Sequence, residues 1–222
     1  MNQNTISKST PLRQEAALTA RQEPGYSQEA GSRLLTDASK MEIIAAHFRS
    51  IMETLGLDLR DDSLRGTPER VARMYVKEIF EGLNPQAMPA VALFSNTYRY
   101  GQMLVEKDIT LYSTCAHHFV PFEGRAHVAY ISSGTIIGLS KLNRIVRYFS
   151  RRPQLQERLT VQIAGELKRL LNTEDVAVVI NASHLCVSSR GVNDKGSQVL
   201  TSEYGGKFLE AATRNEFLQY IK

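Results

Sequence analysis

Cysteine is the scarcest chemistry in this sequence. Only two occur among 222 residues, Cys115 and Cys186, too few for the disulfide framework of a small secreted protein. Long apolar runs are missing as well. Nothing approaches the roughly 18 residues of a membrane-spanning helix, and the polar stretch Met1 to Lys40 has no signal-peptide core. The expectation is a cytoplasmic protein with no membrane partner. The net charge is +4, but its Lys and Arg are not gathered into one tract with interleaved aromatics, so nucleic acid is not an expected partner. No internal repeat is evident. A hydrophobic content of 42% and a charged content of 23% are those of an ordinary globular chain, long enough for one substantial domain.

What is present begins with a polar segment. Residues 1–36 are rich in Gln, Ser, Thr, Glu and Ala with scattered Pro and Gly, which predicts a mobile tail with a short helix near Arg13–Ala20. From Asp37, Ile44, Phe48, Ile51, Met52 and Leu55 recur at helical spacing, with Gly56 placed as a C-terminal cap. Thr67, Pro68 and Glu69 predict the start of a second helix, with Val71, Met74, Tyr75 and Ile79 inward and Gly82 at its end. Short β-branched and aromatic runs follow at 91–97, 103–112, 125–132 and 135–139, predicting a largely antiparallel sheet. Ser140 is placed to cap a helix to about Ser150. Another helix follows Pro153 and runs to Leu171, then come strands at 176–186 and 197–204 and a closing helix at 207–221.

The densest group of metal-capable side chains is Cys115-Ala116-His117-His118. Cys115-x-x-His118 is half of a zinc site, and Cys186 is the one other thiol able to complete it; three ligands leave a fourth position for water. The bland readings are buried apolar thiols, surface histidines, or a Cys115–Cys186 disulfide. Val176, Val178 and Ile180 share one strand face, and the same parity carries Ala182, His184 and Cys186. A regular strand would bring His184 and Cys186 out of the core side by side. Lys141, Arg144, Arg147, Arg151 and Arg152 form a basic cluster suited either to a phosphorylated small molecule or to a solvated helix face.

Several long motifs, in order from Asp37 to Lys222, resemble GTP cyclohydrolase I. They are Asp61-Asp62-Ser63-Leu64 with Thr67-Pro68-x-Arg70; Ser113-Thr114-Cys115-x-His117-His118-Phe119; and Ile137-Gly138-Leu139-Ser140-Lys141-Leu142-Asn143-Arg144. Arg152-Pro153-Gln154-x-Gln156-Glu157-Arg158-Leu159-Thr160 and His184-x-Cys186-Val187 with Arg190-Gly191 complete the set. The resemblance implies an α+β tunnelling fold: an antiparallel sheet with helices on one side (residues 88–222), preceded by a helical part (37–82). It also implies a homodecamer, with sites between subunits and Arg70 supplied by a neighbour. By the same resemblance Cys115, His118 and Cys186 bind Zn²⁺ and His117 and His184 are catalytic. Glu157 anchors the guanine of GTP with Gln156 in support, and Ser140, Lys141, Arg144, Arg190 and Arg70 hold the triphosphate. The implied reaction is hydrolysis of GTP to formate and 7,8-dihydroneopterin triphosphate. One departure stands out: the family's motif reads Cys-Glu-His-His, and here Ala116 replaces the glutamate. This leaves a zinc-containing nucleotide binder with reduced turnover, or a related enzyme acting on another pterin or purine, as alternatives.

Overall fold

The computed structural model describes residues 35–222; the expected tail and its short helix lie almost entirely outside them. The first helix, α1 (Asp37–Thr54), starts where Thr36 Oγ1 accepts from the backbone N–H of Ser39, 3.2 Å away. It ends in a Schellman motif: Gly56 at φ +80 donates to Glu53 O and Leu57 to Met52 O. The second helix, α2 (Thr67–Met74), is capped by Gly66 rather than Thr67 and continues through a π-helical turn at Tyr75–Ile79. Within the chain α1 packs mainly on α2. That buries Met52 and Ala72 but leaves Ile51 and Leu55, expected inside, 52% and 71% exposed.

Two 3-10 turns, Glu81–Leu83 and Pro85–Ala87, lead into the sheet region. Gly82 is where the helical part is tied on. Its N–H donates to Arg151 O and its carbonyl accepts from Arg152 Nε, 2.8 Å away. A Cβ at Gly82 would collide with the carbonyls of Tyr148 and Arg151.

The elements that follow are β1 (Leu93–Ser95), β2 (Met103–Cys115), β3 (Pro121–Ile131), β4 (Thr135–Ile137), α3 (Leu139–Ser150), β5 (Pro153–Gln154), α4 (Gln156–Leu171), β6 (Val176–His184), the single helical turn α5 (Leu185–Ser188), β7 (Val199–Tyr204) and α6 (Ala211–Tyr220). The main sheet has the order β5-β2-β3-β6-β7 and is antiparallel except where β5 joins β2; β1 and β4 form a separate pair. This is the expected α+β fold. Helices α3 and α4 cover one face over a core that includes Phe122, Val128, Ile145, Leu159, Ile163, Val178 and Ile180. The closing helix α6 packs on the other face, where Phe208 and Phe217 meet Ala129, Ile131, Ala177 and Val179.

A bulge decides which face the end of β2 presents. Before it, Leu104 packs on the helix-covered core while Met103 and Val105 face α6. The register then shifts between Glu106 and Ile109, with Asp108 at φ +60, and Ile109, Leu111 and Cys115 take over the helix-covered face. An unbroken alternation would send Cys115 the other way. His127 supports the bulge: its Nδ1 accepts the Asp108 N–H at 3.2 Å.

Candidate metal and purine site

Three segments meet at one end of the sheet. The first is the turn after β2. Cys115 N–H donates to Val120 O and Phe119 N–H to Cys115 O, with Phe119 at φ +55, so the chain reverses within Ala116–Phe119. The second is β5, whose register partner for Cys115 is Gln154. Gln154 is buried; its carbonyl accepts the Ala116 N–H, and its side chain joins Phe149 O, Gln162 Oε1 and Arg158 Nε. The third is the end of β6. There His184 closes the strand and Cys186 lies on α5, not on a regular continuation as the alternation suggested.

The ligand atoms of Cys115, His118 and Cys186 all lie within 4.8 Å of one another, with Cys115 Sγ to His118 Nδ1 at 4.0 Å. A tetrahedral zinc with thiolate and imidazole ligands needs its donors roughly 3.5–3.8 Å apart. A contraction of at most about 1.3 Å would close the site on zinc. Burial, with the Cys115 thiol next to it, pushes the Cys186 thiol up from its ordinary value. Two thiols and an imidazole this close together are a donor set of the kind zinc takes, so the residues fit a zinc ion. His117 is exposed and outside this triad, its ring 6.2 Å from that of His118.

His184 stands beside the triad in a different environment. Its ring stacks on Phe122, the register partner across the strands, at 4.4 Å and 10°. Its Nε2 lies 2.8 Å from Gln156 Oε1. Burial lowers its pKa, and the charge of Glu157 opposes that shift. Glu157 is exposed on the first turn of α4, and Arg190 is exposed with its charge felt at Cys186. Gln156 is only 2% exposed, and its amide donors go to Ile180 O, Val199 O and Thr201 Oγ1. Sequence reasoning assigned no role to Gln154, Phe122 or Thr201; the partners of Phe122 and Thr201 are distant in sequence, as is the Cys115 register partner of Gln154.

Of the residues expected to hold the triphosphate, Arg190 acts at Cys186 while the others fall elsewhere. Ser140 and Lys141 open α3 behind Gly138, the N-cap, with Arg144 one turn further on; Ser140 is thus inside the first turn rather than the cap. Asn143 Nδ2 is hydrogen-bonded to Glu106 Oε1, which pins this turn beside the start of β2, whereas Ser113 Oγ and Arg152 O meet at its far end. At about 3.3 Å per residue, the strand from Glu106 to Cys115 spans roughly 25–30 Å. One chain therefore does not bring Ser140, Lys141 and Arg144 to the triad. Arg70 folds back on the start of its own helix, onto Ser63 O at 2.9 Å and Thr67 Oγ1 at 2.8 Å.

Residues 44–222 match the family model for GTP cyclohydrolase I. A protein of Flavobacterium johnsoniae named GTP cyclohydrolase 1 is 61% identical over 188 residues, 85% of this chain and 84% of its own length. One of the same name from Aeromonas salmonicida is 50% identical over 216 residues, 96% and 99% of the two chains. A third, from Vibrio cholerae, is 53% identical over 190 residues, 85% and 88% of the two. On that extent of match, the chain belongs to the GTP cyclohydrolase I family.

Proposed function

We propose that this chain hydrolyses GTP to formate and 7,8-dihydroneopterin triphosphate, the entry to folate and pterin synthesis, in the cytoplasm, with zinc held by Cys115, His118 and Cys186. The observation that carries the proposal is the convergence, within one family member, of that donor triad with a hydrogen-bonded His184 and an exposed Glu157. A zinc ion at the triad would supply Lewis-acid chemistry that makes hydroxide available near neutral pH. Glu157 accepts from guanine N1–H and the exocyclic amine, a pair that adenine does not offer. His184 transfers a proton at the N7 side of the imidazole ring, which makes C8 a better electrophile and helps the ring open. His117, exposed at the same turn, is a partner for water or ribose. Arg190, Ser140, Lys141, Arg144 and Arg70 bind the triphosphate by charge-assisted hydrogen bonds.

The separation of the two groups supports assembly. Among the described residues β7 forms one edge of the sheet, and β2 is covered on its outer side only at Thr114 and Cys115, by β5. Pairing of such edges between copies closes a barrel. It also supplies the anion-binding residues from a neighbour, in keeping with a homodecamer.

Ala116 supports a second reading, a nucleotide binder with reduced turnover. Its N–H donates to Gln154 O, and its side chain offers no carboxylate to the histidines beside it. Zinc-loaded protein incubated with GTP separates the two. A fluorescent pterin after oxidation supports the cyclohydrolase; GTP binding without formate or pterin supports the binder.

A further inference from the structure

The hydrogen bonds around Gln156 determine which way its amide faces, and through it the protonation of His184. Ile180 O and Val199 O lie 3.1 and 2.9 Å from Gln156 Nε2. Both are carbonyl oxygens and can only accept. Turning the amide over would set its own oxygen against both, so Nε2 must point to them. The third acceptor, Thr201 Oγ1 at 3.1 Å, agrees. Thr160 Oγ1 donates to Gln156 O at 2.9 Å, which leaves Thr201 as the donor in the 2.7 Å Thr160–Thr201 contact and frees its lone pair for the Gln156 amide. The two N–H groups of the amide thus face three acceptors, one hydrogen being shared between two of them. Gln156 Oε1 is left facing His184 Nε2 at 2.8 Å, and an amide oxygen can only accept.

We propose that Gln156 is a positioning residue that holds His184 in the tautomer protonated at Nε2, so that Nδ1 is the ring nitrogen that exchanges a proton with substrate. This deepens the cyclohydrolase reading and rests on it. The neutral ring takes a proton on the Nδ1 lone pair, becomes a cation with N–H at both nitrogens, and returns the proton from Nδ1; Nε2–H stays on Gln156 throughout. Stacking on Phe122 fixes the ring plane, and the buried amide fixes rotation within that plane. Gln156 acts through His184 and is assigned no contact with guanine.

The test is magic-angle-spinning NMR of the zinc-loaded wild-type protein labelled with ¹⁵N and ¹³C in its five histidines. It is run at about pH 8.5, two units above the ordinary histidine value, with His184 identified by the signal absent from His184→Asn. The expected spectrum has a protonated Nε2 and a bare Nδ1 at His184; a protonated Nδ1 with bare Nε2 overturns the proposal without any variant having to fold. In Gln156→Leu the tautomer signature should become mixed or reverse, and kcat should fall by about 100-fold with KM little changed, as for other lost histidine-orienting partners. An unchanged His184 tautomer in a folded Gln156→Leu protein also overturns it. If wild-type protein makes no pterin from GTP, the cyclohydrolase reading fails, while the spectrum still decides the tautomer.

Discussion

The two ends of β2 differ in how completely one chain finishes them. At the Cys115 end, β5, the starts of α4 and α5 and the end of β6 converge. Donor atoms, a stacked histidine and a buried, hydrogen-bonded amide are gathered there by segments of one chain. At the Glu106 end, Ser140, Lys141 and Arg144 stand on the first turns of a helix, beside a strand edge with no partner among the described residues. The metal-capable groups and His184 are thus brought together within one chain. Long, flexible basic side chains can reach a phosphate from further away, so the expected triphosphate group has less need of such gathering.

The largest expected effect breaks the finished end. Cys186→Ser should lose zinc and reduce pterin formation by about a thousandfold or more, the scale of a lost Lewis acid. Metal analysis checks it: full zinc occupancy in that variant would remove Cys186 from the ligand set.

A mixing experiment addresses the division between chains. Cys186→Ser, inactive alone, and Arg144→Ala, assayed at a GTP concentration too low for its weakened binding, should on co-assembly recover about a quarter of wild-type activity, the random chance that an intact metal end meets an intact anion end. No recovery in mixed rings would place both ends of the site on one subunit.

Ligand comparison sharpens the same contrast. Arg144→Ala should weaken GTP by about 10- to 100-fold while barely affecting guanosine, since its bonds go to phosphate. Glu157→Ala should weaken both. Calorimetry with the two ligands reads it, and equal losses for Arg144→Ala would place Arg144 away from phosphate.

Ala116→Glu should raise kcat by no more than about 10-fold and change GTP affinity less, if a carboxylate there steadies the neighbouring histidines. A fully active parent with no gain would show that this background does without it.

The smallest effect lies at the bulge. Burial lowers the His127 pKa, while Asp108 opposes that shift and Lys107 adds to it. With its folded value below the unfolded one, the ring binds more protons unfolded. Its contribution is therefore present above the ordinary histidine value near 6.5 and is lost as pH falls through the folded value. Thermal stability should decline from about pH 7 to pH 5, and His127→Asn, whose side-chain oxygen can accept the same Asp108 N–H, should flatten that decline. An unchanged slope in the variant would assign the acid sensitivity to other groups.

Helix and strand placement was legible in the sequence because it rests on near-neighbour periodicity. Leu142, Ile145, Val146 and Phe149 are buried as their spacing implies, as are Leu159, Ile163 and Leu167. The candidate site was legible because its scarce residue types stand in long motifs. Ile51 and Leu55 were misplaced because a helical stripe shows which face is apolar, not whether this chain covers it. What only the tertiary structure decided is non-local. A single bulge at Asp108, supported by a histidine from the next strand, turns Cys115 to the helix-covered face. The Gln156 amide takes its direction from carbonyls of two strands downstream. The length of β2 parts Ser140, Lys141 and Arg144 from the Cys115–His118–Cys186 triad. Composition and spacing specify which groups a chain carries; distance and hydrogen-bond direction between segments far apart in sequence exist only once the backbone has closed on itself.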